Sequence, residues 1–336
     1  MEAILQALAQ GVRCLLVVAP TGSGKTVLAR QLVADPRLKA LLGVEGRPLR
    51  VLFIAHNRRL LTQASRTFAD SGVELIPQSL FTPLSPEGQE LGWDIGLLDE
   101  SHHEGCRTVQ LRLTELHRRP LVGFTATPER SDQLLLKLPH RIEVISRDAA
   151  VAWGYLAGTH IHSVMSLSPR DNPALVRRLL QHYHGAMTKA VVFVPRRHQV
   201  HTLVKTLQDL GETALPVLDQ RHRALDQLLD RFAGLSRGFL VNCGRLGEGV
   251  DLPDLDTVVL GNQPTSRVEL NQRIGRGARP ASDNHVYECI DPLNTQALCT
   301  ADIVGDGALS HRLYCPRDDG GFEVTTLETR RRAGFV

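Results

Sequence analysis

Short apolar runs alternate with helical patterns along the first 145 residues of the chain. The apolar runs lie at residues 14–18, 51–55, 95–98 and 121–124. Such runs are typical of parallel strands that are buried on both faces of a sheet. Helical periodicity predicts helices at residues 1–10 and at about 58–69. The pattern therefore predicts an α/β domain built on a parallel sheet.

A second series of the same kind begins after residue 170. It predicts strands at residues 191–194, 238–242, 258–260 and 286–290, and helices at 196–210 and 221–232. Between residues 130 and 170 the alternation weakens around Pro139, Gly154 and Gly158. The predicted organisation is a first domain at 1–145, a linker with a crossing strand at 146–170, a second domain at 171–292 and a short, solvated C-terminal tail at 293–336.

The segment APTGSGKT, residues 19–26, joins the first predicted strand to the next helix. Small residues here let backbone N–H groups turn toward a phosphate, which would be surrounded by Thr21, Gly22, Ser23 and Gly24. Lys25 would reach the β- and γ-phosphates of a nucleotide, and the Thr26 hydroxyl would bind Mg²⁺. The alternative is a turn that binds nothing, but a Gly-Lys-Thr triplet directly after a strand favours a phosphate-binding loop.

An acidic pair, Asp99 and Glu100, follows the predicted strand 95–98. Ligands of open α/β sheets bind at this end of the strands. Asp99 would hold Mg²⁺ through water, and Glu100 would orient or deprotonate an attacking water molecule. Carboxylates also favour the first turn of a helix, so the pair indicates catalysis only in combination with the phosphate-binding loop.

Two hydroxyl residues, Thr125 and Thr127, follow the predicted strand 121–124 and precede Pro128. Their side chains either cap a helix or relay hydrogen bonds from the nucleotide to a neighbouring domain. The spacing leaves both interpretations open.

Three arginines, Arg273, Arg276 and Arg279, recur at every third residue of the second predicted domain, with no acidic residue between them. This spacing places them along one side of a helix or helical turn. A solvated basic face is the alternative, but Gly275 and Gly277 favour close approach by another surface. We therefore expect the arginines to meet an anion, such as a triphosphate held by the first domain.

Composition is that of a globular protein: of 336 residues, 42% are hydrophobic and 22% are charged. The net charge of +3 is a weak basic bias that is compatible with nucleic-acid binding. Six cysteines without a C-x-x-C pair argue against a zinc module and against a dense disulfide framework. Together with the absence of a signal peptide or a membrane-spanning run, they predict a cytoplasmic protein without membrane contact.

Histidines and tryptophans are given structural roles. No further ligand is spaced to complete a metal site with His182, His184, His198 or His201. Trp93 and Trp153 are expected to pack in a core or between domains.

Taken in order, the motifs resemble those of superfamily 2 helicases. The similarity is greatest to the DEAH-like group of restriction-enzyme translocating subunits and of excision-repair and phage DNA helicases. The matching segments are spread over about three-quarters of the chain: APTGSGKT (19–26), HNRRLLTQ (56–63), DESHH (99–103), TATP (125–128), VVFVPRRHQ (191–199), GRLGEGVDLP (244–253) and QRIGRGARP (272–280).

The resemblance implies an α/β fold of two tandem RecA-like domains, each a mostly parallel sheet flanked by helices, with the nucleotide cleft between them. The implied cofactors are ATP and Mg²⁺, and the implied partner is nucleic acid, contacted through its backbone without sequence specificity. The residues implied in hydrolysis are Lys25, Asp99, Glu100, Gln272, Arg276 and Arg279, with Gly249 and Asp251 sensing the nucleotide. Coupling to domain movement is implied for His102, Thr125 and Thr127, and nucleic-acid contact for Arg58, Gln78, Ser79 and Arg196.

The predicted function is that of a nucleic-acid-dependent ATPase acting as a minimal DNA helicase or translocase. DNA is favoured because DESHH and GFTATPER resemble the repair and restriction group, while an RNA helicase stays open. A nucleotide-gated DNA-binding or remodelling subunit that recruits a nuclease without unwinding is a further alternative. A small-molecule kinase leaves the second-domain arginines unexplained. No Arg-Pro-x-Gln element precedes residue 19, so adenine preference is open. Because no accessory domain stands between the motifs, unwinding is expected to need a protein partner or a special substrate.

Overall fold

The chain divides after Ser146 into two compact units, Met1–Ser146 and Arg147–Val336, in a computed structural model. The predicted boundary at residue 145 lies next to this division. The structure describes residues 1–84, 92–101, 116, 119–128, 138–166, 168, 170–218, 222–244, 246, 252, 254–278, 282–291, 294 and 297–327. Within these ranges, every helix is too short or too polar to cross a bilayer.

The first unit is a parallel sheet with helices. Its described strands are β1 (Cys14–Val18), β2 (Leu49–Ala55), β3 (Val73–Ser79), β4 (Ile95–Leu98), β5 (Leu121–Thr125) and β6 (His140–Glu143), in the spatial order β3-β2-β4-β5-β1-β6. Its described helices are α1 (Glu2–Ala9), α2 (Lys25–Ala34), α3 (Pro36–Leu42) and α4 (Arg58–Phe68). All neighbouring strands in this order pair in parallel.

The apolar run of β1 is buried on both of its faces. Leu15 and Val17 belong to one hydrophobic cluster, whereas Leu16 and Val18 belong to another. Successive side chains of a strand point to opposite faces, so a strand covered on both sides needs an uninterrupted apolar sequence. The core therefore fixes the carboxyl end of β1, where the phosphate-binding loop begins.

The second unit contains a larger, mixed sheet. Its described strands are β7 (Thr159–Met165), β8 (Lys189–Phe193), β9 (Ala214–Val217), β10 (Gly238–Asn242), β11 (Thr257–Leu260), β12 (Asn284–Ile290), β13 (Ala308–Pro316) and β14 (Phe322–Leu327), in the order β14-β13-β7-β12-β11-β8-β10-β9. Its described helices are α5 (Arg147–Ala152), α6 (Asn172–Tyr183), α7 (Arg197–Asp209), α8 (His222–Ala233), α9 (Arg267–Ile274) and α10 (Ala301–Val304). Only the β13–β14 pair is antiparallel among the described strands.

The segment expected to be a solvated tail instead extends this sheet. Strand β13 pairs with β7, and its Tyr314 is 3% exposed within the core. Arg178 of α6 donates hydrogen bonds to the carbonyls of Gly320 and Gly321 in the β13–β14 turn, and its Cζ lies 4.9 Å from the centroid of the Phe322 ring. These contacts, made to residues far away in sequence, order a segment whose own composition is polar.

Two further expectations change with the structure. The predicted linker contains α5 and β7, and β7 pairs with both β12 and β13, so it is an inner strand of the sheet. Trp153, expected to be packed, is 69% exposed and forms an edge-to-face pair with Tyr155. Trp93 packs against the core of the first unit, as expected.

Candidate functional site

The loop between β1 and α2 has the backbone of an anion-binding turn. Gly22 and Gly24 have φ angles of 87° and 84°, in the left-handed region that favours glycine. The amide and the hydroxyl of Ser23 both donate to the carbonyl of Pro20, at 3.2 and 2.7 Å. The loop therefore closes on itself and ends directly at the first turn of α2.

Several polar groups of this loop are positioned for a phosphate. Among the described residues, no side chain caps the N-terminus of α2, so its N–H groups and its positive dipole end are available to an anion. Lys25 Nζ makes long hydrogen bonds of 3.3 and 3.4 Å to the carbonyls of Ala19 and Pro20. Thr21 Oγ1 is buried without a hydrogen-bond partner among the described residues. A nucleotide phosphate fits this set of donors.

The acidic pair lies at the carboxyl end of β4. The Asp99 amide donates to the carbonyl of Ile54 in β2 at 2.9 Å, which continues the sheet by one residue. Glu100 has a φ of 48°, in the left-handed region that non-glycine residues rarely adopt. Such strain costs about 1–3 kcal/mol and is concentrated at functional sites, which supports the catalytic interpretation of Glu100.

The electrostatics of Asp99 indicate a cation site. Burial, and secondly the charge of Glu100, raise the pKa of Asp99 to about 6, while the charge of Lys25 opposes this shift. A buried carboxylate with a raised pKa gains from a divalent cation, which stabilises its ionised form. The Thr26 hydroxyl and the Asp99 carboxylate are oxygen ligands of the kind that Mg²⁺ prefers, and Mg²⁺ usually takes only one or two protein ligands. The residues present therefore fit Mg²⁺.

The two threonines after β5 shape a buried turn. Thr125 Oγ1 donates to the carbonyl of Thr127 at 2.7 Å and accepts from its amide at 3.1 Å. The Thr125 carbonyl also accepts from the amide of Ala19 at 3.0 Å, which joins this turn to the start of the phosphate-binding loop. Both hydrogen bonds of the Thr125 hydroxyl stay within the turn, so the helix-cap and relay interpretations both stay open.

Arg58 and Arg196 each lie at the start of a helix that follows a parallel strand. Arg58 is exposed at the first turn of α4, directly after β2, and Asn57 caps this helix by accepting from the amide of Leu60 at 2.9 Å. Arg196 is exposed at the start of α7, after β8, and its amide donates to Gln199 Oε1 at 3.2 Å. Each guanidinium therefore lies at the carboxyl edge of its own sheet, where it is accessible to a phosphate backbone.

Gln78 differs from its predicted role as a direct nucleic-acid contact. Its side chain is 4% exposed, and Nε2 donates to the carbonyls of Ser79, Thr82 and Pro83 at 2.8, 3.2 and 3.0 Å. The amide is thus used to hold the loop after β3. Ser79, which begins that loop, is partly exposed.

The arginine series of the second unit does not form one uniform face. Arg273 pairs with Glu269 one turn earlier on α9, and its Nη1 donates to Asn262 Oδ1 at 3.4 Å. Its Cζ lies 4.9 Å from the centroid of the Phe193 ring. The Arg273 charge is therefore already met inside the unit, which corrects the expectation of three arginines awaiting an anion. Arg276 lies in the turn after α9 and is half-buried.

Gln272 and the start of the GRLGEGVDLP segment come together in the second unit. A cavity of about 60 Å³ is lined by Phe193, Asn242, Gly244, Leu246, Glu269, Gln272 and Arg273. Asn242, which sequence reasoning missed, is 1% exposed, and its Oδ1 accepts from the amide of Leu246 at 3.0 Å. A polar residue at the end of the buried strand β10 was the available signal.

Four predicted site residues lie outside the described residues: His102, Gly249, Asp251 and Arg279. Two of the histidines that were given structural roles make hydrogen bonds within the second unit. His184 Nδ1 lies 2.7 Å from Glu212 Oε1, and His182 Nδ1 lies 2.9 Å from the carbonyl oxygen of Arg178. The described residues hold no cluster of three or more His, Cys, Asp or Glu side chains suited to a metal ion.

Comparison with known families identifies the class of protein. Residues 1–79 match the family described as type III restriction enzyme, res subunit, and residues 172–281 match the helicase conserved C-terminal domain. Together these matches cover more than half of the chain. The protein belongs to the superfamily 2 helicases, and its two units are tandem RecA-like domains.

Individual relatives are distant. The chain is 24% identical to the putative ATP-dependent helicase IRC3 of Saccharomyces cerevisiae, over 97% of this chain and 54% of that protein. It is 24% identical to the ATP-dependent rRNA helicase rrp3 of Botryotinia fuckeliana, over 83% of this chain and 63% of that protein. The chain thus spans between half and two thirds of the length of these relatives.

Two known structures share the fold. The DEAD-box helicase Mss116 bound to ssRNA and UDP-BeF matches with a TM-score of 0.68 and 14% identity, over 95% of this chain and 75% of that chain. The ATP-dependent Type ISP restriction-modification enzyme LlaBIII bound to DNA matches with a TM-score of 0.64 and 15% identity, over 86% of this chain and 27% of that chain.

Proposed function

We propose that the protein is a nucleic-acid-dependent ATPase that acts as a minimal DNA helicase or translocase. The observation that carries the proposal is the position of the nucleotide residues within one sheet. The phosphate-binding loop follows β1 and the acidic pair follows β4, and these strands both pair with β5. The charge of Lys25 also acts on Asp99. This arrangement supports the binding of a triphosphate and its cation at this edge.

In this proposal, each residue of the first unit has a distinct task. Backbone N–H groups at residues 21–24 bind the phosphates, and Lys25 holds the β- and γ-phosphates. Thr26 and Asp99 hold Mg²⁺, directly or through water, which supplies charge neutralisation at the transferred phosphate. Glu100 orients the attacking water and accepts its proton. Thr125, Thr127 and His102 couple the state of the nucleotide to the rest of the protein.

The second unit would complete hydrolysis. Gln272, Arg276 and Arg279 would contact the γ-phosphate, while Gly249 and Asp251 would respond to the bound nucleotide. An arginine supplied in this way is worth about 10³ to 10⁵ in rate in phosphoryl-transfer enzymes. Loss of the γ-phosphate would then release the contact and change the conformation.

Movement along nucleic acid requires contacts that do not depend on sequence. Arg58 and Arg196 are exposed at the carboxyl edges of two different sheets, so both units present a cation to a phosphate backbone. Such contacts are salt-sensitive and independent of base identity. We expect duplex unwinding to need a protein partner or a special substrate.

DNA is preferred over RNA as substrate because the first unit matches a restriction-enzyme subunit family. The RNA alternative is supported by the similarity to the rRNA helicase rrp3. The two substrates differ at the 2′-hydroxyl, and the helicase motifs do not encode a contact to it.

Steady-state ATP hydrolysis tests the proposal. The protein is assayed alone and with single-stranded DNA, duplex DNA, forked DNA or RNA, at one low salt concentration. We expect stimulation, greatest with DNA, that is lost in Lys25→Ala and retained in Lys39→Ala, a matched lysine change in α3. Hydrolysis that is indifferent to every nucleic acid would contradict the proposal, and stimulation by RNA alone would select the RNA helicase.

A further inference from the structure

Asn284 connects the sheet of the second unit to the end of α9. It is the first residue of β12 and is 0% exposed. Its Nδ2 donates to the carbonyl of Ile274, the last residue of α9, at 3.2 Å. The backbone amide of Asn284 donates to the carbonyl of Gly158 at 2.9 Å, which fixes the start of the strand. The side chain therefore ties the C-terminus of α9 to a rigid strand.

The same side chain fills the space above Gly277. A Cβ atom added to Gly277 would lie 2.1 Å from Asn284 Oδ1 and 2.9 Å from Asn284 Cγ, well inside van der Waals contact. Gly277 is therefore required by the Asn284 amide of its own unit, which corrects the expectation that it admits another surface. Asn284 has no room to yield, because it is buried and bonded to Ile274.

The turn held in this way is the one that carries Arg276. Its internal hydrogen bonds are long: Arg276 N to Arg273 O and Gly277 N to Ile274 O are both 3.3 Å. On its far side, the carbonyl of Ala278 accepts from the amide of Ala157 at 3.0 Å. Arg276 thus lies in a turn that is also held from outside, by Asn284 on one side and by Ala157 on the other.

The side-chain amide of Asn284 also lowers the stability of the fold. Its Oδ1 is buried and has no hydrogen-bond partner among the residues that the structure describes. A buried amide oxygen without a donor lowers stability, so packing alone would favour an apolar side chain. The hydrogen bond that the Asn284 side chain donates to Ile274 therefore points to a positional role.

We propose that Asn284 is a positioning residue that sets the place of Arg276 by packing against Gly277 and holding the end of α9. The proposal rests on the proposed function, in which Arg276 contacts the γ-phosphate. Displacement of a catalytic group by about 1 Å can cost about 10²-fold in rate. Loss of the Asn284 amide therefore affects hydrolysis more than binding.

A double-mutant cycle tests the proposal in the full chain. Gly277→Ala, Asn284→Ala and the double variant are compared with wild type and with Gly185→Ala, a control glycine that has open space around its Cβ. We expect each single change to lower kcat by about 10-fold or more, with the KM for ATP changed by less than about 3-fold. The double variant should be more active and melt at a higher temperature than Gly277→Ala, because the clash is removed.

Two readouts separate the possible failures. If the double variant recovers stability but kcat falls by the product of the two single effects, the packing is correct and the positioning role is wrong. If the effects of the two substitutions are additive both for stability and for kcat, the Gly277–Asn284 contact itself is wrong. If wild type shows no nucleic-acid-stimulated hydrolysis, the proposed function fails and the assignment to Arg276 falls with it, while the stability cycle still reports on the contact.

Discussion

Arg273 lies over the ring of Phe193, with 4.9 Å between its Cζ atom and the ring centroid. The same guanidinium pairs with Glu269, and only 14% of the side chain is exposed. Three residues later, Arg276 lies in a turn beyond the helix. Two arginines that are equivalent in spacing therefore have different environments: the charge of Arg273 is met inside the unit, and Arg276 is the arginine that we assign to the γ-phosphate.

This difference predicts that one of two matched substitutions affects stability and the other affects hydrolysis. Arg273→Gln should lower the free energy of unfolding by about 1–2 kcal/mol, because a partly desolvated cation–π contact and a charged hydrogen bond are lost. Arg276→Gln should lower kcat by about 10³-fold with little effect on ATP binding. Chemical denaturation and steady-state kinetics check both. Equal effects of the two changes on kcat would contradict the distinction.

The buried framework could be predicted from the sequence, since it depends on apolar runs. Strands β1, β4 and β10 occupy the residues that their runs indicate, because a strand covered on both faces leaves no polar position. Strands β6 and β14 were not predicted from the sequence because they are largely exposed and have no such run. Their order comes from pairing with distant strands, which a local pattern does not contain.

The candidate site divides in the same way. Glycines, Lys25 and the acidic pair could be located because their chemistry requires those residue types at a fixed spacing. The pairing of Arg273 with Phe193 and the contact of Asn284 with Gly277 depend on which elements the fold brings together. The same holds for Gln78, whose amide polarity suggested a ligand contact although it bonds to its own loop.

Replacing Glu100 with glycine should raise stability and abolish activity. Glu100→Gly removes a left-handed non-glycine residue and the carboxylate beside Asp99, so we expect the free energy of unfolding to rise by about 1 kcal/mol. Hydrolysis should be lost in the same variant. Glu100→Gln keeps the strained backbone and should bind ATP normally while kcat falls by about 10²-fold or more. Normal turnover in Glu100→Gln would remove Glu100 from catalysis.

Gln78 should control nucleic-acid affinity through its loop. Gln78→Glu places carboxylate oxygens opposite three carbonyls, so the loop after β3 should lose its conformation. We expect the nucleic-acid concentration that half-saturates ATPase stimulation to rise by about 10-fold, with smaller changes in kcat at saturation. Gln63→Glu, an exposed change of the same charge in α4, is the control for electrostatic repulsion. Equal effects of the two variants would reject the positional explanation.

A buried histidine of the second unit should lower stability as the pH falls, whereas protonation of Asp99 in the first unit, whose pKa is raised, acts in the opposite direction. His162 stacks on Tyr287 at 4.1 Å between ring centroids and lies within hydrogen-bond distance of Tyr314 and His285. Burial, and secondly the charge of His285, lower the pKa of His162 to about 3. Below about pH 6.5 the unfolded chain therefore binds more protons than the folded one, so stability falls as the pH falls.

The measurement is chemical denaturation at pH 7 and pH 5. His162 alone should account for about 1–2 kcal/mol of the stability lost between these values. In His162→Phe, which keeps a planar ring without a titrating nitrogen, the loss should be correspondingly smaller. An unchanged loss in that variant would place the pH dependence elsewhere, for example on His285 or His311, whose pKa values are also lowered by burial.

The choice between a motor and a nucleotide-gated clamp depends on whether both exposed arginines are used in each cycle. A motor needs a phosphate grip on each unit that changes with the nucleotide, so Arg58→Ala and Arg196→Ala should each slow displacement of a triplex-forming strand from duplex DNA. ATPase stimulation should fall less than translocation, because one remaining grip still senses DNA. A clamp predicts ATP-controlled DNA binding with no directional displacement in wild type. If DNA stimulates hydrolysis but the triplex-forming strand is not displaced, the clamp is favoured and translocation is rejected.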